Sequence, residues 1–151
     1  MKTRSTNVAT VRLQVRELGA QLSQLGHRIG MRTQLRDGDL ACLDLIGRKG
    51  PLTPSALARL MQLHPATMTG VLDRLEADGW IVREREPGDR RAVTIRAVPA
   101  RAREMMGHYA GMNGAIDRIA ASYSPEQLAV ITDFLERLIE AGRKESDELA
   151  G

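Results

Sequence analysis

The chain is short of the residues on which several protein classes depend. It has one cysteine, Cys42, among 151 residues, which excludes an internal disulfide framework and any zinc site built on several thiolates. Aromatic residues make up 3% of it, too few for binding single strands by stacking successive bases. Apolar runs are broken by Arg, Gln or Gly well before the roughly 18 residues that cross a bilayer. Met1-Lys2-Thr3-Arg4-Ser5 leads into no continuous apolar segment, so no secretory signal is expected. His27, His64 and His108 are far apart and show no i, i+4 spacing, so no metal is expected. No Ser-His-Asp set, pair of catalytic carboxylates or phosphate-cradling glycine loop is recognisable; the expectation is therefore no enzyme and no cofactor. What remains is a soluble cytoplasmic chain without a membrane partner. With 42% hydrophobic and 27% charged residues, it is able to bury a core.

Charge is what the chain distributes unevenly. The net charge is only +3, with 22 Lys and Arg against 19 Asp and Glu. Residues 1–36 nevertheless hold seven basic groups against Glu17 alone, and residues 83–103 hold seven arginines against Glu84, Glu86 and Asp89. Residues 124–151 reverse the sign, with seven acids against three basic groups. A basic middle and an acidic end point to one anion-seeking face.

Periodicity predicts mostly helix. From about Thr6 to Leu35, apolar residues at Val8, Val11, Val15, Leu18, Leu22, Leu25, Ile29 and Met31 recur at steps of three and four, the pattern of a long amphipathic helix. Asp37-Gly38-Asp39 interrupts it, and either Asp is placed to cap a second helix carrying Leu40, Leu43 and Ile46. After the stop Gly47-Arg48-Lys49-Gly50-Pro51, Thr53-Pro54 opens a short helix ending near Met61, with Thr as cap and Pro where a missing N–H costs nothing. His64-Pro65 opens the next, which carries Met68, Val71, Leu72 and Leu75 on one face and stops at Gly79. Two strands follow, Trp80 to Arg85 and Ala92 to Ala97, around a turn at Glu86-Pro87-Gly88-Asp89-Arg90. A helix from about Pro99 to Ala121 comes next. The last opens on the capping box Ser124-Pro125-Glu126-Gln127 and places Leu128, Ile131, Leu135 and Leu138 at heptad spacing, which suits a helix–helix seam.

Short helix, tight turn, helix and hairpin make a winged helix-turn-helix. The fold class expected is mainly α with a small β-hairpin wing: a winged helix-turn-helix over residues 37–98, between an N-terminal helix over residues 1–36 and C-terminal helices over residues 99–151. Opposite its apolar stripe, the second helix of the motif presents Ala66, Thr69, Gly70, Asp73 and Arg74, with Thr67 at the edge. Small residues near its start let it lie deep in a major groove about 12 Å wide, while Thr hydroxyls and Arg74 reach phosphates or base edges. Thr53, at the start of the preceding helix, joins this set. Arg90 and Arg91 at the hairpin tip are placed where an adjacent minor groove would pass.

The run Leu72-Asp73-Arg74-Leu75-Glu76-Ala77-Asp78-Gly79-Trp80-Ile81-Val82-Arg83, followed by Asp89-Arg90-Arg91, resembles the MarR family of bacterial transcriptional regulators. The family's pattern is a D-R-L-E-x-x-G end to the recognition helix, two hydrophobic residues and an arginine, then a D-[R/K]-R wing tip; the element order of the whole chain also fits. The resemblance implies a homodimer, usually a repressor, on a pseudo-palindromic operator in double-stranded DNA, with the first and last helices intertwined as a helical dimerisation region: residues 1–36 the N-terminal dimerisation helix and 99–151 the C-terminal dimerisation helices, either side of the DNA-binding domain 37–98. It implies that Arg91 enters the minor groove, that Asp89 holds the wing arginines and that Arg74 is a recognition-helix contact. It also implies an effector cleft for a small apolar or aromatic ligand, with Met31, Cys42, Met105, Met106, His108 and Tyr109 as candidates. The chain departs from the family at Ala97-Val98, where a Leu-Thr cap is usual, at Gly70, where a larger and often basic residue is usual, and at the His64-Pro65 cap.

Each assignment has a plainer rival. Arg74 has Asp78 and Glu76 as intrahelical partners, and Thr67 and Thr69 are also ordinary surface residues. Cys42 lies between Ala41 and Leu43 with no basic neighbour in sequence, which favours a small core residue over a redox switch. The effector candidates serve equally well as core packing. The alternative function is a winged-helix module that docks proteins and no longer binds DNA; such a module has no need of Arg90 and Arg91.

Overall fold

The computed structural model describes residues 2–86 and 89–150, with side chains described for 7–85 and 93–149. The elements run α1 (Lys2–Thr33), α2 (Asp37–Lys49), α3 (Pro54–Leu60), α4 (Pro65–Ala77), β1 (Ile81–Glu86), β2 (Asp89–Ala97), α5 (Pro99–Ala120) and α6 (Pro125–Ala150). Mostly helical with one antiparallel hairpin, this is the winged-helix order expected. Pro87 and Gly88, at the centre of the expected hairpin turn, lie outside the described residues. The chain divides into two compact units, residues 1–102 and 103–151. No helix among the described residues is long and apolar enough to cross a membrane.

The core of the first unit is the sum of the predicted stripes. Leu57 of α3, Met68, Leu72 and Leu75 of α4, Ile81 of β1 and Ile95 of β2 are enclosed, together with Cys42 of α2. In the hairpin Ile81 faces Ala97 and Arg83 faces Ile95, with an irregularity in register after Arg85. Leu52 adds an isolated antiparallel bridge to Ile95, its N–H donating at 3.2 Å and its carbonyl accepting at 2.7 Å. A one-residue strand carries no periodicity, so sequence reading passed over it.

Helix ends follow local chemistry. α1 stops at Thr33, two residues earlier than predicted, where the Thr33 hydroxyl bonds the Ile29 carbonyl at 2.8 Å and Leu35 N–H folds back to the Gly30 carbonyl at 2.9 Å. A Cβ on Gly30 would stand 2.8 Å from the Leu35 carbonyl oxygen, so only glycine allows this approach. The aspartate caps expected for α2 are not used. The cap position is Arg36, without a side-chain bond, and the helix starts one residue earlier than a capping aspartate requires. Asp37 and Asp39 therefore fall inside the first turn, where a negative charge meets the positive end of the helix dipole. α4 ends as predicted. Gly79, at φ 75°, lets its own N–H bond the Glu76 carbonyl and Trp80 N–H bond the Leu75 carbonyl, a Schellman stop that turns the chain straight into the hairpin. Buried Trp80 then carries the Arg101 guanidinium 3.9 Å over its ring, and Arg101 also donates to the Asp78 carbonyl at 3.1 Å.

In the second unit the Ser124–Gln127 capping box forms in both directions: Ser124 N–H to Gln127 Oε1 at 2.8 Å, and Gln127 N–H to Ser124 Oγ at 3.3 Å. The helix it starts leaves Ile131, Phe134, Leu135, Leu138 and Ile139 exposed. On α1 of the first unit Val8, Val11, Leu18 and Leu22 are exposed in the same way.

Candidate nucleic-acid interface

The α3–turn–α4 unit is held from three sides. Thr53 Oγ1 accepts from Ala56 N–H at 3.2 Å with Pro54 at the first helical position. The helix closes at Gln62, whose left-handed φ of 53° allows Leu63 N–H to reach the Ala58 carbonyl at 2.9 Å. His64 then performs the cap that Ser, Asp or Asn usually supply: its Nδ1 accepts from Ala66 N–H at 3.2 Å. With Met68, Val71, Leu72 and Leu75 buried, the opposite face of α4 is fixed outward. Ala66, Thr67 and Thr69 are exposed on it and Gly70 is half-buried. The Thr69 hydroxyl donates to the Pro65 carbonyl at 3.0 Å.

Three charged groups of α4 are paired across elements. Arg74 does not take Asp78 or Glu76 as its hydrogen-bond partner. Its Nε donates to Asp39 Oδ2 at 3.1 Å and its Nη2 to Asp39 Oδ1 at 2.7 Å, a side-on pair with a residue 35 positions earlier on α2. Asp39, at 4% exposure, is the buried charged residue among those described. Its hydrogen bonds hold the Arg74 pKa above the ordinary arginine value. Asp73 and Glu76 both receive Arg83 of β1, at 2.6 Å for Asp73 Oδ1, and Arg83 N–H also donates to Glu76 Oε1 at 3.3 Å. Bonding to Asp73 first, then Glu76, raises the Arg83 pKa in the same direction. Arg83 thus offsets one of the two negative charges that Asp73 and Glu76 would turn toward a phosphate backbone, and the hairpin is tied to the helix. None of these partners is at helical spacing, which is why pattern reading could not find them.

Asp89, Arg90 and Arg91 lie in β2; their side chains fall outside those described. Further along the same hairpin, Arg96 Nε donates to Glu84 Oε2 at 2.9 Å. Thr53 is half-buried at its cap.

Of the residues named for an effector cleft, Met31 and Cys42 belong to the first unit, and Met31 is 63% exposed whereas Cys42 is fully enclosed. Met105, His108 and Tyr109 are half-buried on α5, with Met106 exposed. Burial, and secondarily the neighbouring Asp39 charge, pushes the Cys42 thiol from its ordinary 9.0 up to about 11. A thiol that stays protonated and enclosed is a poor nucleophile toward peroxide. Linkage gives a test: the unfolded thiol ionises near pH 9 and the folded one near pH 11, so the unfolded state binds fewer protons in that window. Stability is expected to fall from pH 9 to 11 more steeply for the native chain than for Cys42→Ala, as denaturant midpoints compared across that range will report. Parallel curves would show that the site does not perturb the thiol.

Residues 35–93, from the end of α1 into β2, match the MarR family model. That stretch of the chain is a MarR-family domain. An uncharacterized HTH-type transcriptional regulator of Bacillus subtilis (strain 168), YcgE, is 26% identical over 144 residues, spanning 88% of this chain and 94% of that protein. Among solved structures, a MarR family protein from Bacillus stearothermophilus superposes with a TM-score of 0.70 at 24% identity, covering 92% of this chain and 97% of the other. Overoxidized AbfR bound to DNA superposes at 0.53 with 18% identity, covering 93% and 98%. At such identities the structural likenesses establish the fold. The MarR model spans the helix-turn-helix and most of the hairpin, and the α2–α4 and α4–β1 ion pairs described above fall within that same stretch.

Proposed function

We propose that this MarR-family transcriptional regulator is a cytoplasmic homodimer that represses by occupying a pseudo-palindromic operator in double-stranded DNA. One observation carries the reading. The buried stripe of α4 turns a face of small residues, Ala66, Thr67, Thr69 and half-buried Gly70, outward, while Arg83 bonds both Asp73 and Glu76 beside it and offsets part of their negative charge. A helix with that face enters a major groove closely, and its neighbouring wing brings Arg90 and Arg91, held by Asp89, to the minor groove. Thr53 and the Thr67 and Thr69 hydroxyls address phosphates or base edges, and Arg74 is the recognition-helix arginine. AbfR, solved with DNA bound, supports this use of the shared fold.

Residues 37–98 are the DNA-binding domain in this reading, and residues 1–36 and 99–151 the dimerisation arms. The exposed apolar rows of α1 and α6 support it, because each is unfilled within one chain. A small apolar or aromatic effector would release DNA by favouring a conformer with the wrong spacing between recognition helices.

A salt titration tests the central point. With ~6–10 phosphates neutralised, affinity for duplex DNA is expected to fall ~10³–10⁵-fold between about 50 and 200 mM salt. A flat response, or binding that needs no DNA phosphate, would overturn it.

A further inference from the structure

We propose that Asp39 is a positioning residue for base readout, holding Arg74 side-on so that the outer edge of its guanidinium is presented to a guanine. The inference rests on the DNA-binding reading and goes beyond it by naming the base and the device. A guanidinium has five N–H donors in a fixed plane. Asp39 takes the side edge through Nε at 3.1 Å and Nη2 at 2.7 Å. The end edge, one proton of Nη1 and the second of Nη2, stays available. That edge matches the O6 and N7 acceptors that guanine shows in the major groove.

Three further features fit presentation better than a simple tie between α2 and α4. The pair is asymmetric: the Asp39 side chain is 5% exposed and the Arg74 side chain 39%, so the anchor is buried and the anchored group meets solvent. Gly70 lies one turn before Arg74 on the outward face, and a Cβ there would stand 3.6 Å from Nη1. The guanidinium thus lies across Gly70, and a larger side chain at that position would cover it. Finally, Arg83 occupies Asp73 and Glu76, and Asp78, one turn after Arg74, acts on it through its charge without a hydrogen bond, so among the described residues Asp39 alone takes hydrogen bonds from the guanidinium. A clamped arginine has given up its rotamer freedom before DNA arrives, which removes part of the cost of forming two bonds to a base.

The test uses a duplex selected on the full-length protein from a random pool, then remade with 7-deazaguanine at each half-site guanine in turn, which removes the N7 acceptor alone. For the native protein one symmetry-related guanine position is expected to lose about tenfold in affinity. In D39N the affinity for the unmodified duplex falls by a similar factor, and 7-deazaguanine at that position then costs less than twofold more. R74K, which keeps the charge and loses the fork, is expected to show the same insensitivity, with circular dichroism confirming that each variant is folded. A native protein indifferent to 7-deazaguanine everywhere overturns the proposal even if both variants fail to fold. D39N weakening both duplexes equally, with the analogue still costing tenfold, makes the pair a structural tie only and also overturns it. Failure to enrich any duplex would instead remove the DNA-binding reading, and this inference with it.

Discussion

Leu135→Glu is expected to convert the protein into a folded monomer and to lower its affinity for a two-half-site duplex by ~10²–10⁴-fold, the advantage lost when two linked sites become one. Leu135 is 43% exposed within a single chain and belongs to the row formed with Ile131, Phe134 and Leu138 on α6. A glutamate there buries no charge in an isolated chain, so the helix itself should tolerate it. In a dimer it would be desolvated against apolar side chains, at a cost of several kcal/mol. Sedimentation gives the state of association, and binding to full and half operators gives the affinity. A variant that remains dimeric, or a monomer that binds the full site as tightly as the native protein, would remove α6 from the interface.

Arg91→Ala is expected to weaken duplex binding by ~10–100-fold, the upper range of what a well-placed groove contact contributes, and to reduce the salt slope by about 1. Melting temperature should be unchanged, because the core lies in α2, α3, α4 and the base of the hairpin. Arg83→Ala makes the useful contrast. Arg83 ties β1 to Asp73 and Glu76 of α4, so its loss should lower stability and bare two carboxylates beside the groove-facing surface. Equal effects of the two substitutions on both stability and binding would show that the wing arginine is another structural tie.

The fold could be read from the sequence wherever the signal was local. Thr53-Pro54, Gly79 and the Ser124–Gln127 box stop or start helices through bonds spanning three to five residues, and each formed as read. The α4 stripe of Met68, Val71, Leu72 and Leu75 fell at helical spacing and is buried. The misses share one physical cause. Asp39 was read as a cap because it precedes an apolar run, yet its carboxylate is committed to an arginine 35 residues away. Leu52 contributes a single bridge, too short for any period. Arg83 read as one more charge in a basic segment, whereas it bonds two carboxylates of α4. Ion pairs between elements depend on how helices cross, and one sequence does not encode that in any spacing. The outward face of α4 was readable because it is the complement of a local stripe; the clamp behind Arg74 was not.

The most direct measurement is footprinting of the purified protein on duplexes it selects from a random pool, with the number of chains per duplex determined by mass. The account predicts two chains on one two-fold-symmetric site, with half-site centres about one helical turn, roughly 34 Å, apart. A single chain bound to an asymmetric site, or no protected duplex even at minimal ionic strength, would contradict it.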